Sequence, residues 1–404
     1  MRKLQLVGII AAIMLVAACA PQRRTELPGR TQTKIGGSGV PAAPVTAGVR
    51  VRVALLVPLS GEAAVVGEQL VQAAQLAVED TGDDRLVLLP RDTPAAAESA
   101  ASAARGALGE GAGAILGPLY GSATRAVAPL ARAAQVPVLS FSNDAAAGGP
   151  GTALLGFAPE DQVARIVAFA ADRGQRRLAV LAPDDTFGQR FVAAARDAVA
   201  RQDGMRLAGV GVYPADKAAP SDVVRRLVWP GGEPADPARA PSPDPFDAVL
   251  IGDTGARLRT LVSLINYYDV DLGRVQLLGT QRWLDAGAPT DPLLAGAWLA
   301  APDPAALAAF DQRYQEVFGE RPARIAVLAY DATALVARLS REPGGLGSAA
   351  LHDPEGFVGR SGVFRVLPDG RVERALAVLQ LQPGGGTTVL DPAPRTLAPS
   401  VPTN

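Results

Sequence analysis

The sequence predicts an α/β protein of two doubly wound parallel-sheet lobes joined by several crossovers. Three observations predict it. Short apolar runs bounded by turn residues alternate with helical patterns along most of the 404 residues. That rhythm pauses at Gly148–Gly156 and restarts, so the chain reads as two units. Loops rich in Gly, Ser and Asp follow strand after strand, at the carboxyl ends where open parallel sheets hold ligands.

The first unit opens with the buried run Val51–Val57, VRVALLV. Val66, Leu70, Ala73 and Ala77 then recur at helical spacing. Arg85–Leu89 is the next strand, Ala95–Leu108 an Ala-rich helix, Ala112–Leu116 a strand, Ser122–Ala134 a helix and Val136–Leu139 a strand. Repeated βα units imply a parallel sheet covered on both faces. In the second unit Asp161–Asp172 and Phe187–Val199 read as helices around the strand Arg177–Leu181. A strand at Met205–Tyr213, a helix at Ser221–Leu227 and a strand at Phe246–Ile251 follow. Further elements are expected at Leu258–Tyr267, Val275–Leu278, Leu307–Val317 and Ile325–Leu339. The chain is expected to cross back near residue 275 and again near 345. One lobe is then 50–157 plus 275–345, and the other 158–274 plus 346–382. The Pro-rich stretch Trp229–Pro245 interrupts the second lobe as a surface insertion.

Both ends read differently. Arg2 and Lys3 precede an apolar run from Leu4 to Ala18, shorter than the ~20 residues a spanning helix needs. It fits a signal peptide over 1–18. The run ends Leu15-Val16-Ala17-Ala18-Cys19, which resembles the lipobox of bacterial lipoproteins. Cys19 is the only cysteine, so no internal disulfide is possible and lipidation is its natural use. An Asp after the lipidated Cys resembles an inner-membrane retention signal; Ala20 does not. The expected location is therefore the inner leaflet of the outer membrane, facing the periplasm. Residues 20–49 are a Pro/Gly/Thr/Arg-rich tether that could stretch to about 100 Å. Residues 383–404 are Pro/Gly/Thr-rich and expected to be disordered.

The formal net charge is −1, and no basic stripe points to nucleic acid. One histidine, His352, and one cysteine leave no His/Cys metal set, so no metal or other cofactor is expected. No G-x-S-x-G, S-x-x-K or P-loop occurs. Gly109–Gly113 reads as a turn before a strand, and Asp184-Asp185 as a turn and helix cap rather than a catalytic pair. A non-enzyme is expected.

The loops after the strands supply the candidate cleft. In the first unit these are Ser60 and Gly61, then Gly117 and Ser122, then Ser140, Ser142 and Asn143. In the second they are Asp185 and Phe187, then Asp253, then Gln281 on the returning strand's loop Gly279–Trp283. Glycines allow close backbone approach, and hydroxyls near helix N-termini can bond a polar ligand.

Residues from about 51 to 382 also resemble the type I periplasmic binding fold of the leucine/isoleucine/valine receptors. The segments carrying the likeness include VALLVPLSGEAAVVGEQLVQAAQLAVED, GAGAILGPLYGSATRAVAPLARAAQVPVLSFSND and RRLAVLAPDDTFGQRF. FDQRYQEVFGERPARIAVLAYDATALV and GRSGVFRVLPDGRVER, with Asp369-Gly370 as a hairpin turn, complete it. The resemblance implies that hydroxyls at Ser122, Ser140 and Ser142 hold a ligand carboxylate and that Phe187 is the second lobe's aromatic contact. The receptors' acidic anchor for the ligand ammonium has no counterpart in Gly279–Trp283, which argues against an amino acid.

Within that fold the pattern is most similar to the penicillin-binding protein activators, the LpoA-like lipoproteins. The lipobox, Ala20, the tether and the GPLYGSATRAVAPLA and LSFSND segments carry this likeness. It implies a non-catalytic envelope lipoprotein that activates a peptidoglycan synthase, a class A penicillin-binding protein, by direct contact. A solute receptor for a branched-chain amino acid-type ABC transporter, with a small polar ligand in the cleft, is the alternative.

Overall fold

The structure, a computed structural model, describes residues 50–216, 220–232, 245–285, 289–342 and 344–397. The expected leader, Cys19, the tether and most of the insertion at 229–245 lie outside the described residues.

The first lobe is a five-stranded parallel sheet. Its strands are β1 (Val51–Val57), β2 (Leu86–Asp92), β3 (Ala112–Leu116), β4 (Val138–Ser140) and β5 (Thr152–Leu154), in the order β2-β1-β3-β4-β5. Helices α1 (Ala64–Thr81), α2 (Ala97–Gly109) and α3 (Gly121–Ala133) connect them. The alternation in β1 shows why the run is apolar throughout. Val53, Leu55 and Val57 enter one core with α1, whereas Ala54 and Leu56 enter another with α2 and α3. A strand covered on both faces has no polar side to display.

The second lobe repeats the plan. Helices α4 (Pro159–Asp172), α5 (Thr186–Ala200), α6 (Ser221–Val228) and α7 (Gly255–Tyr267) accompany β6 (Arg177–Pro183), β7 (Arg206–Tyr213), β8 (Ala248–Ile251), β9 (Gln276–Thr280) and β10 (Trp298–Ala301). After β10 the chain returns to the first lobe. There α8 (Pro304–Phe318) and α9 (Ala326–Leu339) pack on α1, with Phe310, Tyr314 and Val327 inside its core. The antiparallel strands β11 (Phe357–Gly359), β12 (Gly362–Val366) and β13 (Val372–Arg374) add Phe357, Phe364 and Val372 to that core. The chain then crosses a third time. β14 (Ala377–Leu381) and β15 (Thr387–Asp391) finish the second sheet, ordered β15-β14-β10-β9-β8-β6-β7, with β14 antiparallel to both neighbours.

The α/β class and the two-lobed plan are as expected, and the hairpin at Asp369-Gly370 forms between β12 and β13. The lobe boundaries need correction. Residues 276–301 belong to the second sheet, not the first lobe, and 304–374 belong with the first lobe rather than splitting at 345. Both ends of the expected boundary miss because lobe membership is set by which strand a segment pairs with, a non-local choice. The tail from 383 is corrected too. Thr387–Asp391 is a strand, tied to α4 by an Arg165–Asp391 ion pair of 2.6 Å. No helix among the described residues is long and apolar enough to cross a membrane.

Candidate functional site

The carboxyl ends of both sheets face a cavity of about 540 Å³ between the lobes. Its first-lobe wall is built by the loops after β3 and β4. Gly117, at φ +84°, packs so tightly that a Cβ would lie 2.2 Å from the Leu56 carbonyl oxygen. This position admits only glycine and serves the backbone path, not a ligand. Ser140 is fully buried. Its hydroxyl shares a 2.7 Å bond with Thr124 Oγ1, lies 3.0 Å from the Pro118 carbonyl and accepts from Ser142 N. It fixes the loop that presents Ser142 and Asn143 to the cavity. Ser142 Oγ accepts from Asp144 N at 3.0 Å, and its own proton has no partner among the described residues. Asn143 donates its side-chain amide to the Phe157 carbonyl, and Arg190 of the second lobe donates to the Asn143 carbonyl at 2.5 Å.

The second-lobe wall centres on one helical turn, Gln281–Leu284, directly after β9. Three elements clamp it, two through its backbone and one through a side chain. Gln281 N donates to Gln162 Oε1 of α4 at 2.9 Å, Thr254 Oγ1 donates to the Arg282 carbonyl at 2.8 Å, and the Trp283 indole donates to the Ile251 carbonyl. Trp283 lies against Gly279, where a Cβ would be 2.4 Å from the indole. The clamp leaves Gln281, 7% exposed, with a side-chain amide that has no partner among the described residues. It also sets the Arg282 guanidinium over the Phe187 ring, 4.0 Å from its centroid. Arg324, in the turn before α9, crosses from the first lobe and donates Nε to the Leu284 carbonyl at 3.0 Å. Asp285 stands at the mouth. Desolvation pushes its carboxyl up, against the pull of Arg282 and Arg324.

Ser142, Asn143, Phe187 and Gln281 thus line the cavity, and the other expected cleft residues do not. Ser60 donates to Asp92 at 2.6 Å, tying the β1 and β2 loops, with Gly61 as the turn beside it at φ +75°. Ser122 donates outward to the Ala95 carbonyl. Asp185 caps α5, accepting from Gly188 N at 2.7 Å. Asp253 accepts from Tyr213 Oη and Thr254 N at 2.8 Å, and burial, with the Asp253 charge beside it, raises the Tyr213 pKa. These are turn-and-cap duties, the common fate of Ser and Asp beside helix starts. Sequence reasoning missed Tyr120, Gln162, Asp285 and Arg324 as wall residues. Arg282 belongs to the loop Gly279–Trp283, which the strand order alone brings to the cleft. Arg324 carried no local signal, because it reaches the cavity only through the return of α8 and α9. No cluster of metal-ligating residues occurs among the described residues.

A family model described as periplasmic binding protein matches residues 50–386, and the chain belongs to that family. Its members are solute-binding proteins, which act in the periplasm or cell envelope and are not enzymes. No protein of curated function matches the chain. Among solved structures it is similar to a putative branched-chain amino acid ABC transporter protein from Rhodospirillum rubrum, with TM-score 0.71 and 17% identity over 85% of this chain and 100% of that one. A branched-chain amino acid ABC transporter periplasmic ligand-binding protein from Burkholderia xenovorans gives 0.70 and 17%, over 87% and 96%. The solute-binding protein of an ABC transporter from Rhodopseudomonas palustris, solved with 3,4-dihydroxybenzoic acid, gives 0.62 and 18%, over 86% and 98%. At such identities the likeness is one of fold. The expected kinship with penicillin-binding protein activators finds no specific support among these comparisons.

Proposed function

We propose that the protein is the solute receptor of an ABC transporter, capturing a small polar organic solute between its lobes. A solute receptor thus stands ahead of the synthase activator that the sequence favours. One observation carries it. The cavity holds the side-chain amide of Gln281, the hydroxyl proton of Ser142 and the guanidinium of Arg282, none with a protein hydrogen-bond or ion-pair partner among the described residues. A few polar groups that converge on one concave cavity without protein partners are what a small-molecule site presents to its ligand. A lobed fold reused only for protein contact has no need to maintain them.

Lipidation at Cys19 and a tethered position in the envelope are part of the proposal. Replacing Cys19 with Ala should release the protein from the membrane fraction. The receptor reading is tested by thermal unfolding against a panel of amino acids and aromatic acids. A true solute at a hundredfold excess over its dissociation constant should add about 2.7 kcal/mol of stability. Crosslinking in intact envelopes should capture an ABC permease. Capture of a class A penicillin-binding protein, with faster glycan polymerisation and no solute that stabilises, would restore the activator reading.

A further inference from the structure

Resting on the receptor reading, we propose that Arg282 selects the charge of the solute. The cleft takes a small organic monoanion, a carboxylate on an apolar body, and rejects the zwitterion of the same shape. Among the residues lining the cavity the charged groups are Arg282, Arg324 and Asp285, a net charge of +1. Neither arginine forms an ion pair with a carboxylate of the described residues. Asp285 sits at the exposed mouth under the influence of both guanidiniums. A monoanion balances this charge. A zwitterion adds none, and sets its ammonium against two cations.

The geometry of Arg282 sharpens the point. An aromatic face in a partly desolvated cleft is a seat for a cation. Here Phe187 offers such a face, and the protein's own guanidinium already lies on it at 4.0 Å. A ligand ammonium finds that seat taken and meets like charge beside it. The backbone that carries Arg282 is fixed beside the ring, because its turn is bonded to α4, to the β8–α7 loop and to the end of β8. Gln281 and Ser142 face the same space as neutral groups, one on each lobe, ready to bond the carboxylate without adding charge.

The test uses pairs that differ only in the ammonium: leucine against 4-methylpentanoate, and phenylalanine against 3-phenylpropanoate, with benzoate as a rigid anion. Dissociation constants are measured by calorimetry on the purified wild-type protein and on Arg282→Gln and Arg282→Lys, after confirming their folding by circular dichroism. In wild type at least one carboxylate should bind at least about tenfold more tightly than its amino-acid partner, a difference of 1.4 kcal/mol. Arg282→Gln should erase that preference, and Arg282→Lys should restore part of it by returning the charge. Amino acids binding as tightly as their deaminated partners would overturn the charge selection and leave the receptor reading standing. An Arg282→Gln protein that keeps the full preference would also overturn it. Failure of all five probes to bind wild type would count against the receptor reading and remove this inference with it.

Discussion

Two glycines show how single residues set the loops around the cleft. Gly67 in α1 and Gly188 in α5 stand in the first turns of their helices, each facing the carboxyl end of its lobe's first strand. A Cβ on Gly67 would lie 1.6 Å from the Pro58 carbonyl oxygen, and one on Gly188 would lie 1.8 Å from that of Pro183. Neither gap can open without moving backbone. Gly106, in α2, has nothing within 4 Å of the same position. Gly67→Ala and Gly188→Ala should therefore destabilise by at least about 2 kcal/mol. Gly106→Ala should stabilise by roughly 0.5–1 kcal/mol, through helix propensity and a less flexible unfolded chain. Urea denaturation of the three variants checks the contrast; equal effects would refute it. At this scale the sequence was a partial guide. The LSFSND segment contains Ser140 and Ser142 together, yet their roles diverge, because the end of β4 turns one hydroxyl inward to Thr124 and Pro118 and sets the next on the cavity wall. A serine's neighbours in sequence do not reveal which way it faces. The distinction rests on Thr124 and Pro118, which lie 16 and 22 residues away.

Elements with strong local patterns were legible. β1, β6 and their helices fall within a few residues of expectation, since buried parallel strands are apolar throughout and their helices repeat at regular spacing. β10, β14 and β15 were not. Trp298–Ala301 is only four residues long, and Thr387–Asp391 follows a Gly run and alternates weakly. What makes β15 a strand is the open edge of β14, with which it pairs from Val378 to Leu381. Leu390 packs against the α4–α5 core, and Asp391 receives Arg165. A chain ended at residue 382 would lose this strand, leave the β14 edge bare and strand Arg165 without its carboxylate. It should melt several degrees lower than a chain ended at 397, which keeps all of these contacts. Identical melting temperatures would show the last strand to be dispensable.

Across the whole molecule, the lobes meet at a buried line of charge. Asp331, in α9 of the first lobe, accepts from the backbone N–H groups of Arg360 and Ser361 and from the Ser361 hydroxyl at 2.5 Å. Arg374, on the third crossing, donates to Ser361 Oγ at 2.7 Å and to the Leu155 carbonyl on the first crossing at 2.5 Å. Burial draws its pKa down to about 10, against the opposing pull of Asp331 and Asp161. Asp161, in the first turn of α4, faces this arginine from the second lobe. Its other charged neighbours are Glu160 on its own helix, paired with Arg190 of α5, and on the β12–β13 hairpin Glu373, paired with Arg365, and Arg371, paired with Asp369. Desolvation, with the charges of Glu373 and Glu160, raises the Asp161 carboxyl to about 7, while Arg374 holds it down. The sign of the consequence follows from proton linkage. The folded protein binds a proton at Asp161 more tightly than the unfolded chain, so this group favours folding at pH 4 and progressively less as pH rises through 7. Asp161→Asn, which cannot ionise, should match wild type near about pH 3, below the carboxyl's ordinary range, and become the more stable protein by about pH 8. The gap should open from about pH 4 to about pH 7, between the carboxyl's unfolded and folded values, and level off at about 4 kcal/mol. Denaturation curves at half-unit pH steps measure it. A gap that stays constant with pH would mean that Asp161 is ionised throughout, with Arg374 as a full partner, and the line between the lobes would then carry a paired charge in place of a titrating one.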